Sequence, residues 1–345
     1  MRSRYRRTTV LFISAFWLGG IGLLCGGKPL PVQPAAVVRD DSAAERDRAP
    51  VLSAVAIDPS GSFLATGGDD HLVRIWDAHS LKLLARLEGH TDWVNAVAFV
   101  RGSNRLVTAG QDGRVMLWDL AQLSRSGWLG GGTVVCRLDD AVRSLAISPD
   151  GQLVAVGTFA GVIGVYSVNS LQAVRSLAGS SPDVRALSFS PDGQLLLAGG
   201  RDGRLRKWST ASWQVEGDLV GHRGRIRAIA FSPDGRQLAS AGEDRQVLLW
   251  NVAESRPVAV FAQPTVVASL CWFGSDRLCV GGTDNVIRIL RLPEGQEAGR
   301  LVGHTGTVTG IVCRPEVMQL FSISYDTTIR VWSAEARENV ALLPR

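Results

Sequence analysis

The sequence contains few of the residues that bind metals or form disulfide frameworks. Its 345 residues include five cysteines and five histidines. No two cysteines stand in a CxxC pair, and none lies at a metal-ligand spacing from a histidine. This scarcity argues against a zinc site or a disulfide-rich scaffold and favours free, buried thiols. We therefore expect no metal and no bound cofactor.

Lysine is also scarce, and the first part of the chain has no acidic residue. Only Lys28, Lys82 and Lys207 are lysines, so arginine supplies nearly all of the positive charge. The formal net charge is +5, and the isoelectric point is about 9.2. Residues 1–28 hold five basic residues and no acid, which accounts for the whole excess. The basic isoelectric point is therefore no sign of nucleic-acid binding, and we expect no nucleic-acid partner.

The longest uncharged run lies at the N-terminus. Four arginines within the first seven residues precede residues 8–27, which carry no charge, and Lys28 follows. Twenty uncharged residues just suffice to span a bilayer as a helix, although five glycines weaken such a helix. The run also fits the apolar core of a cleaved signal peptide. Both alternatives stay open, and either predicts a membrane-anchored or exported protein with the rest of the chain on the non-cytoplasmic side.

From residue 51 onward the sequence repeats. Short apolar runs end at seven equivalent positions, 40–48 residues apart, and six of these seven residues are aromatic. They are Trp76, Trp118, Tyr166, Trp208, Trp250, Leu290 and Trp332. An aspartate stands six residues before each of them, except that the third unit has Ala160. Such a fixed offset over seven units indicates a repeat protein.

Each unit has the pattern of four short strands. The tetrapeptide Ser-Pro-Asp-Gly recurs at residues 148–151, 190–193 and 232–235, each time between apolar runs. It favours a tight turn, because Pro presets φ and Gly accepts a positive φ. One further run ends at the closing aromatic residue, and another follows it. Four short strands in about 40 to 45 residues are typical of a propeller blade.

The repeats resemble the WD40 (WD-repeat) family. Gly-His opens three units, at residues 89–90, 221–222 and 303–304. Trp-Asp closes two units, at residues 76–77 and 118–119. The resemblance implies an all-β fold, a seven-bladed β-propeller of four-stranded antiparallel blades.

The chain is thus expected to divide into three parts. Residues 1–28 form the signal peptide or membrane anchor, residues 29–50 a flexible linker rich in proline and mixed charges, and residues 51–345 the propeller. In many relatives the N-terminus supplies the outer strand of the last blade, but the charged residues 39–46 make a poor strand. We expect residues 339–343 to supply it instead, so that the ring closes without an exchanged strand.

In this family a histidine, a hydroxyl residue, the turn aspartate and the closing tryptophan form a buried hydrogen-bond chain within one blade. The resemblance implies such structural tetrads in three units: His90, Thr108, Asp112 and Trp118; His222, Ser240, Asp244 and Trp250; His304, Ser322, Asp326 and Trp332. A buried carboxylate is tolerated when it is paired in this way. A Ser-His-Asp set also suggests nucleophilic catalysis, but an active site would not recur three times. We expect structural residues and no enzyme.

Function is expected at exposed positions that differ among the units. The resemblance places three such series on one rim of the central channel, with these distinctive members: Arg143, Arg185, Arg227, Arg225, Arg201, Trp93, Phe159 and Tyr325. Arginines beside aromatic residues suit acidic or phosphorylated peptides, through bidentate hydrogen bonds and stacking. A general preference for arginine over lysine in this chain is the alternative explanation of the arginines.

The sequence therefore predicts a non-catalytic scaffold that presents this rim to protein or peptide partners. A propeller enzyme, or a small-ligand sensor that uses the central channel, is the alternative function.

Overall fold

The described part of the chain forms seven sheets that are arranged as the blades of a propeller. The computed structural model describes residues 10–12, 31–39, 49–122, 128–130 and 132–333. Most of the predicted signal or anchor segment lies outside these residues, and so does the segment after residue 333. Among the described residues, no helix is long and apolar enough to cross a bilayer.

The first three blades follow three short N-terminal strands. The N-terminal strands are β1 (Val10–Phe12), β2 (Pro31–Val32) and β3 (Ala36–Val38). Blade 1 consists of β4 (Leu52–Ile57), β5 (Phe63–Gly68), β6 (Val73–Asp77) and β7 (Leu83–Glu88). Blade 2 consists of β8 (Val94–Val100), β9 (Arg105–Gly110), β10 (Arg114–Asp119) and β12 (Thr133–Arg137). A 3-10 helix (Leu120–Gln122) and the separate strand β11 (Trp128–Gly130) lie between β10 and β12 in the sequence. Blade 3 consists of β13 (Val142–Ile147), β14 (Leu153–Thr158), β15 (Val162–Ser167) and β16 (Ala173–Ala178).

The remaining blades repeat the same order of strands. Blade 4 consists of β17 (Ala186–Phe189), β18 (Leu195–Gly199), β19 (Arg204–Ser209) and β20 (Val215–Val220). Blade 5 consists of β21 (Ile226–Phe231), β22 (Gln237–Gly242), β23 (Gln246–Asn251) and β24 (Arg256–Ala262). Blade 6 consists of β25 (Val267–Trp272), β26 (Arg277–Gly282), β27 (Val286–Arg291) and β28 (Gln296–Val302). Blade 7 contains β29 (Val308–Arg314), a 3-10 helix (Pro315–Val317), β30 (Gln319–Ser324) and β31 (Ile329–Ser333).

Within each blade the four principal strands pair antiparallel in the order of the sheet. The predicted seven-bladed propeller of four-stranded antiparallel blades is therefore confirmed.

The recurring Ser-Pro-Asp-Gly turn sets the geometry between the first two strands of a blade. In blade 3, the Ser148 hydroxyl donates to Asp150 at 2.5 Å and accepts a hydrogen bond from the backbone N–H of Leu153 at 2.9 Å. Gly151 takes a φ of 72°, which a residue with a Cβ rarely adopts. The same serine–aspartate bond forms at Ser190 and Ser232. Local sequence therefore fixes these turns without help from distant residues.

The core lies between neighbouring blades rather than within one blade. Between blades 4 and 5, for example, Leu205, Leu219, Ile226 and Trp250 are all completely buried and belong to one apolar cluster. The closing tryptophan thus lies where two sheets face each other, which explains why the repeat tolerates little change at this position. Burial of such a side chain stabilises the fold by about 1.5–3 kcal/mol.

Side chains of the innermost strands also join the blades to one another. Ser53 and Asn95 donate to the backbone oxygens of Val94 and Val142 in the next blade, at 2.6 and 2.7 Å. Three further bonds of this kind run from Ser144 to Val184, from Ser269 to Val308 and from Thr309 to Leu52. Blades 4 and 5 have Ala186 and Ala228 at the position of Ser144, and Arg185 and Arg227 at the position of Ser53. These arginines pair with Asp183 and Glu243 instead. Blades 5 and 6 are joined in the opposite direction, because Trp272 Nε1 donates to the backbone oxygen of Ala230 at 2.9 Å.

The ring closes through an exchanged strand, so the prediction of closure without exchange is wrong. Strand β3 pairs antiparallel with β31, with Ala36 opposite Val331 and Val38 opposite Ile329. Ala36 and Val38 are almost fully buried in blade 7. The charged stretch 39–46 is indeed unsuitable for a strand, but the apolar Ala-Val-Val triplet stands just before it. The structure thus uses three residues of the predicted linker, and the predicted strand 339–343 lies outside the described residues.

Three blades carry a fifth strand on their outer edge. β1 pairs antiparallel with β3 in blade 7. β2 pairs in parallel with β28 of blade 6, and β11 pairs in parallel with β7 of blade 1. In the described part of the chain, the outer strands of blades 2 to 5 have no such cover.

Candidate functional site

The predicted tetrads form continuous hydrogen-bond chains inside blades 2, 5 and 7. In blade 5, His222 Nδ1 lies 2.8 Å from Asp244 Oδ2, and His222 Nε2 lies 2.7 Å from the Ser240 hydroxyl. Trp250 Nε1 donates to the same hydroxyl at 2.7 Å. Blades 2 and 7 repeat this chain: His90, Thr108, Asp112 and Trp118, and His304, Ser322, Asp326 and Trp332. All three histidines are buried, so these side chains offer no surface to a substrate.

The tetrads perturb the pKa values of their own members. Burial by itself would raise the pKa of Asp112, but hydrogen bonds from His90 and from the backbone N–H of Thr91 outweigh it and lower the pKa to about 2. Asp326 shifts in the same direction, because His304 and Thr328 outweigh its burial. Burial lowers the pKa of His304 below its ordinary 6.5, in spite of the opposing effect of Asp326. The carboxylates are therefore ionised and His304 is neutral at physiological pH.

Stability should decline as the solution is acidified, in two stages. His304 has a folded-state pKa below 6.5, so the unfolded chain takes up its proton first and stability falls as the pH drops below 6.5. Asp112 has a folded-state pKa of about 2 against 3.8, so its contribution is complete above 3.8 and is lost toward pH 2. Thermal melts from pH 8 to about pH 2 would measure both stages. In His304→Gln the first stage should shrink while the second persists, and an unchanged first stage would contradict this assignment.

The central channel is narrow, and the side chains that line it differ from one blade to another. It holds a cavity of about 240 Å³, lined in part by Asn95, Arg143, Arg185, Ala268 and Thr309. Arg143 and Arg185 are two of the predicted rim arginines, and all five residues lie in the innermost strands or directly before them. The channel wall is thus basic at blades 3 and 4 and carries small side chains at blades 6 and 7.

Three of the predicted rim arginines converge on one buried carboxylate. Asp183 Oδ2 lies 3.1 Å from Arg185 Nε and 3.2 Å from Arg225 Nη1, and Asp183 Oδ1 lies 3.7 Å from Arg143 Nε. Asp183 is completely buried and adopts a φ of 61°, which aspartate tolerates better than most residues. Arginines from blades 3, 4 and 5 are therefore held at fixed positions around a single acid.

The fourth rim arginine has a different partner. Arg227 Nε lies 3.2 Å from Glu243 Oε1, which is also 3.6 Å from Arg225. Arg143 in turn donates to the side chain of Gln111 at 2.7 Å. Burial and the neighbouring Arg185 lower the pKa of Arg143, although Asp183 opposes them.

One of the three predicted aromatic residues is in contact with the arginines. The Phe159 ring lies 5.2 Å from the guanidinium carbon of Arg143 and 5.9 Å from that of Arg201, within the range of a cation–π contact. Trp93 and Tyr325 are exposed, like Phe159, but neither has a ring contact with an arginine in the described part of the chain. The structure therefore joins Phe159 to the arginines and leaves the other two aromatic residues as separate exposed side chains.

Comparison with known families agrees with this architecture. The family model for the WD domain, G-beta repeat (WD40), matches residues 47–77, 81–119, 132–167, 171–209, 213–251 and 295–333. These six stretches cover well over half of the chain. The chain belongs to the WD40 family. WD40 propellers generally act as non-enzymatic scaffolds that bind protein partners, although the fold alone does not name the partner.

The similarity to one curated relative is confined to a short stretch of this chain. The probable serine/threonine-protein kinase PkwA of Thermomonospora curvata is 56% identical to this chain over 43 residues. The match covers 12% of this chain and 6% of the kinase, which is about the length of one WD40 repeat. The similarity therefore supports a shared repeat and carries no information about kinase activity.

Two WD40 blades that lack the histidine replace it with an arginine. In blade 1, Arg74 forms two hydrogen bonds with the turn residue Asp70, at 3.1 and 2.5 Å. In blade 6, whose first three strands lie outside the WD40 matches, Arg288 forms the same pair with Asp284, at 3.2 and 2.5 Å. Both arginines come four residues after the aspartate, on the third strand. The substitution keeps the turn carboxylate paired by a different donor.

Sequence reasoning missed two kinds of residue at this WD40 rim and in its blades. It assigned no role to the rim acids Asp183 and Glu243, although an acid among arginines is a visible signal. It also missed Arg74 and Arg288, whose signal is an arginine four residues after the turn aspartate in units without the histidine. That offset is not sufficient, because Arg206 stands at the same place and pairs with Asp218 instead.

Proposed function

We propose that the protein is a non-catalytic scaffold whose channel mouth binds an acidic or phosphorylated segment of a partner protein. The observation that carries this proposal is the group of five guanidinium groups, here called the arginine arc: Arg143, Arg185, Arg201, Arg225 and Arg227. The nearby carboxylates are fewer, namely Asp183, Glu243 and Asp140, which acts on Arg143 electrostatically. The arc therefore has a positive excess that a partner's anionic group would neutralise.

Preorganisation makes the arc a suitable anion site. Asp183 and Glu243 hold the guanidinium groups in place before any partner arrives, so less side-chain entropy is lost on binding. Nε of Arg143 and Nε of Arg225 are buried and have no hydrogen-bond partner within the described part of the chain. These buried N–H groups are closed to a partner, but the side chains of Arg185 and Arg227 are 34% and 29% exposed. A carboxylate or phosphate offers two or three oxygens to the exposed guanidinium donors.

Phe159 adds an apolar contact at the edge of the arc. Its ring is 39% exposed although two guanidinium groups pack against it. A partner side chain could cover the remaining ring surface while its backbone or an adjacent acid reaches Arg143. Trp93 and Tyr325 extend the same proposal to blades 2 and 7, as exposed aromatic residues that commonly dominate binding energy.

The predicted export or anchoring through residues 1–28 belongs to the same proposal. Its support is the run of four arginines followed by twenty uncharged residues. An uncleaved anchor would hold the scaffold at a membrane surface and would require Val10–Phe12 to leave its pairing with β3, whereas a cleaved signal would release the protein without β1. In both cases the channel mouth would be available to partners on the non-cytoplasmic side.

The arginine arc is tested by comparing partner proteins that co-purify with the intact, detergent-solubilised chain and with variants. The triple variant Arg143→Ala, Arg185→Ala, Arg227→Ala should lose its specific partners, with affinity weakened by roughly a hundredfold. Wild-type binding should also weaken as salt concentration rises. Arg236→Ala is the matched control, because Arg236 is 86% exposed in the turn between the first two strands of blade 5.

A second variant separates binding from folding. Arg143 and Arg185 neutralise Asp183, so the triple variant is expected to melt at a lower temperature. Arg201→Ala with Arg227→Ala removes two arc members that do not pair with Asp183 and should leave the melting temperature close to that of the wild type. Identical partners for the wild type and this double variant, with equal salt dependence, would overturn the arc as a binding site.

A further inference from the structure

The outer edge of blade 5 differs from every other blade edge in the described part of the chain. Blades 1, 6 and 7 have their outer edges covered by β11, β2 and β1, respectively. The uncovered outer strands are β12, β16, β20 and β24. Uncovered edges are open to pairing with other chains, and proteins commonly protect them with charges, bends or short length.

Three of the four uncovered strands show this protection. β12 is only five residues long and ends on Arg137. β16 carries Arg175 at its third position, and β20 carries Glu216 and Asp218 on either side of Gly217. The short length of β12, and the charged side chains within β16 and β20, disfavour the addition of an apolar partner strand. These edges are therefore poor docking sites.

β24 lacks such protection over most of its length. It has seven residues, with the sequence Arg-Pro-Val-Ala-Val-Phe-Ala, so that residues 258–262 contain no charge, glycine or proline. Val258 and Val260 are 43% and 54% exposed. They lie two residues apart and therefore on one face, while Ala259 and Phe261 pack against the core between blades 5 and 6. The strand thus offers an apolar face together with an uncovered edge.

A groove lies beside this edge. It has a volume of about 860 Å³ and is lined by the apolar Leu195, Val252 and Val258, by the charged Asp192, Lys207, Glu216, Asp234 and Arg236, and by further residues that include Pro293 of blade 6. The Lys207 side chain is held in place within this groove, because its ammonium group lies 3.1 Å from the Ser255 hydroxyl and 3.5 Å from Glu216. Side chains of an added strand would therefore have a preformed recess to enter on the side of blade 4.

We propose that the edge of β24 docks an extended apolar segment of a partner protein by strand addition. The occupant is an extended segment because this propeller already covers three blade edges with short extended segments of its own chain. Its residues at alternate positions are β-branched or otherwise apolar, so that they pair with Val258 and Val260 across the strands. Pro257 has no N–H to offer, so the pairing covers residues 258–262.

A second copy of this chain is the less suitable occupant. Pairing of two β24 edges alone would involve seven residues on each side, which is little for a stable dimer that buries about 1,200–2,000 Å², whereas the side chains of a single extended segment can also enter the groove beside the edge. The site is also separate from the channel mouth, so this proposal is tested independently of the proposal for the arginine arc.

Selection of random displayed peptides, each long enough to span β24, against the full chain tests the proposal. Enriched peptides should slow amide hydrogen exchange at residues 256–262, and alternate N-methylation of their backbones should abolish binding. Val258→Lys with Val260→Lys should weaken binding by about tenfold or more, since two apolar cross-strand pairs are lost and charge is placed on the edge. Both positions are exposed, so the variant should fold normally.

Val215→Lys with Val220→Lys is the matched control. These valines are 52% and 60% exposed on β20 of blade 4, which already carries two acids, and peptide binding should be unchanged. The proposal is wrong if no enriched peptide protects residues 256–262, or if both double variants bind equally well. A concentration-dependent dimer that the Val258 and Val260 changes abolish would also overturn it, in favour of self-association.

Discussion

A chain that begins at residue 49 should melt well below one that begins at residue 31. The shorter chain lacks β3, whose Ala36 and Val38 are buried against blade 7 and whose backbone pairs with β31. Without β3, Ile329 and Val331 lose their cover and the edge of β31 loses its hydrogen-bond partners. Loss of about two buried apolar side chains and of the strand pairing should cost roughly 3–5 kcal/mol. For a domain of this size that corresponds to a fall of about 10 °C.

The chain that begins at residue 31 is the control, because it keeps β2 and β3. Its melting temperature should lie close to that of the full-length protein, because it loses only the three-residue strand β1 from the edge of blade 7. Val38→Asp in the full-length chain is a point version of the same test, since Val38 is 1% exposed and opposite Ile329. If the two truncated chains melt together, β3 does not close the ring.

The single change Arg74→Met should destabilise the protein more than the double change Asp70→Asn with Arg74→Met, which removes both charges of the ion pair. Arg74 and Asp70 are 2% and 8% exposed, and methionine removes the bidentate partner of the carboxylate. Breaking a buried pair from one side costs about 3–5 kcal/mol, because the remaining charge stays desolvated. In Asp70→Asn with Arg74→Met no charge remains, and the asparagine oxygen can still accept from the backbone N–H of Leu72 as Asp70 does. The double variant should therefore recover part of the lost stability.

Urea unfolding of the wild type, both single variants and the double variant gives the coupling energy. Arg256→Met is the matched control, because Arg256 is 62% exposed and pairs with Glu254, which is 49% exposed. A surface pair of this kind contributes about 0–1 kcal/mol. Additive effects of the Asp70 and Arg74 changes would show that the pair does not replace the missing histidine in blade 1.

Local signals made the blades predictable from sequence. The period of the closing aromatic residues, the Ser-Pro-Asp-Gly turns and the fixed turn aspartate all act within one unit, so each unit carries its own evidence. Leu290 illustrates the strength of the pattern: it lacks the aromatic ring but still lies buried at the closing position of blade 6. The rim arginines followed from the same alignment of units, because equivalent positions in successive blades point to one mouth.

The closure strand and the acid at the centre of the arc were not predictable in the same way. Ala36–Val38 is only three residues long, shorter than a typical strand, and its partner β31 stands near the other end of the sequence. Asp183 gains its role only when blades 3, 4 and 5 are assembled, since its three arginines come from all of them. Long-range pairing of this kind leaves no period in the sequence for a reader to find.

The exchanged strand also sets the order in which the protein can fold during its synthesis. During synthesis β3 leaves the ribosome before any blade, yet its partner β31 is among the last described segments to emerge. Blades 1 to 6 can acquire their sheets while translation proceeds, but the ring stays open until nearly the whole chain is available. A chain whose mRNA is truncated before the codons for β31 would therefore form blades but leave the ring open. In such a chain the apolar strand β3 would lack its partner β31 and would be exposed to chaperones.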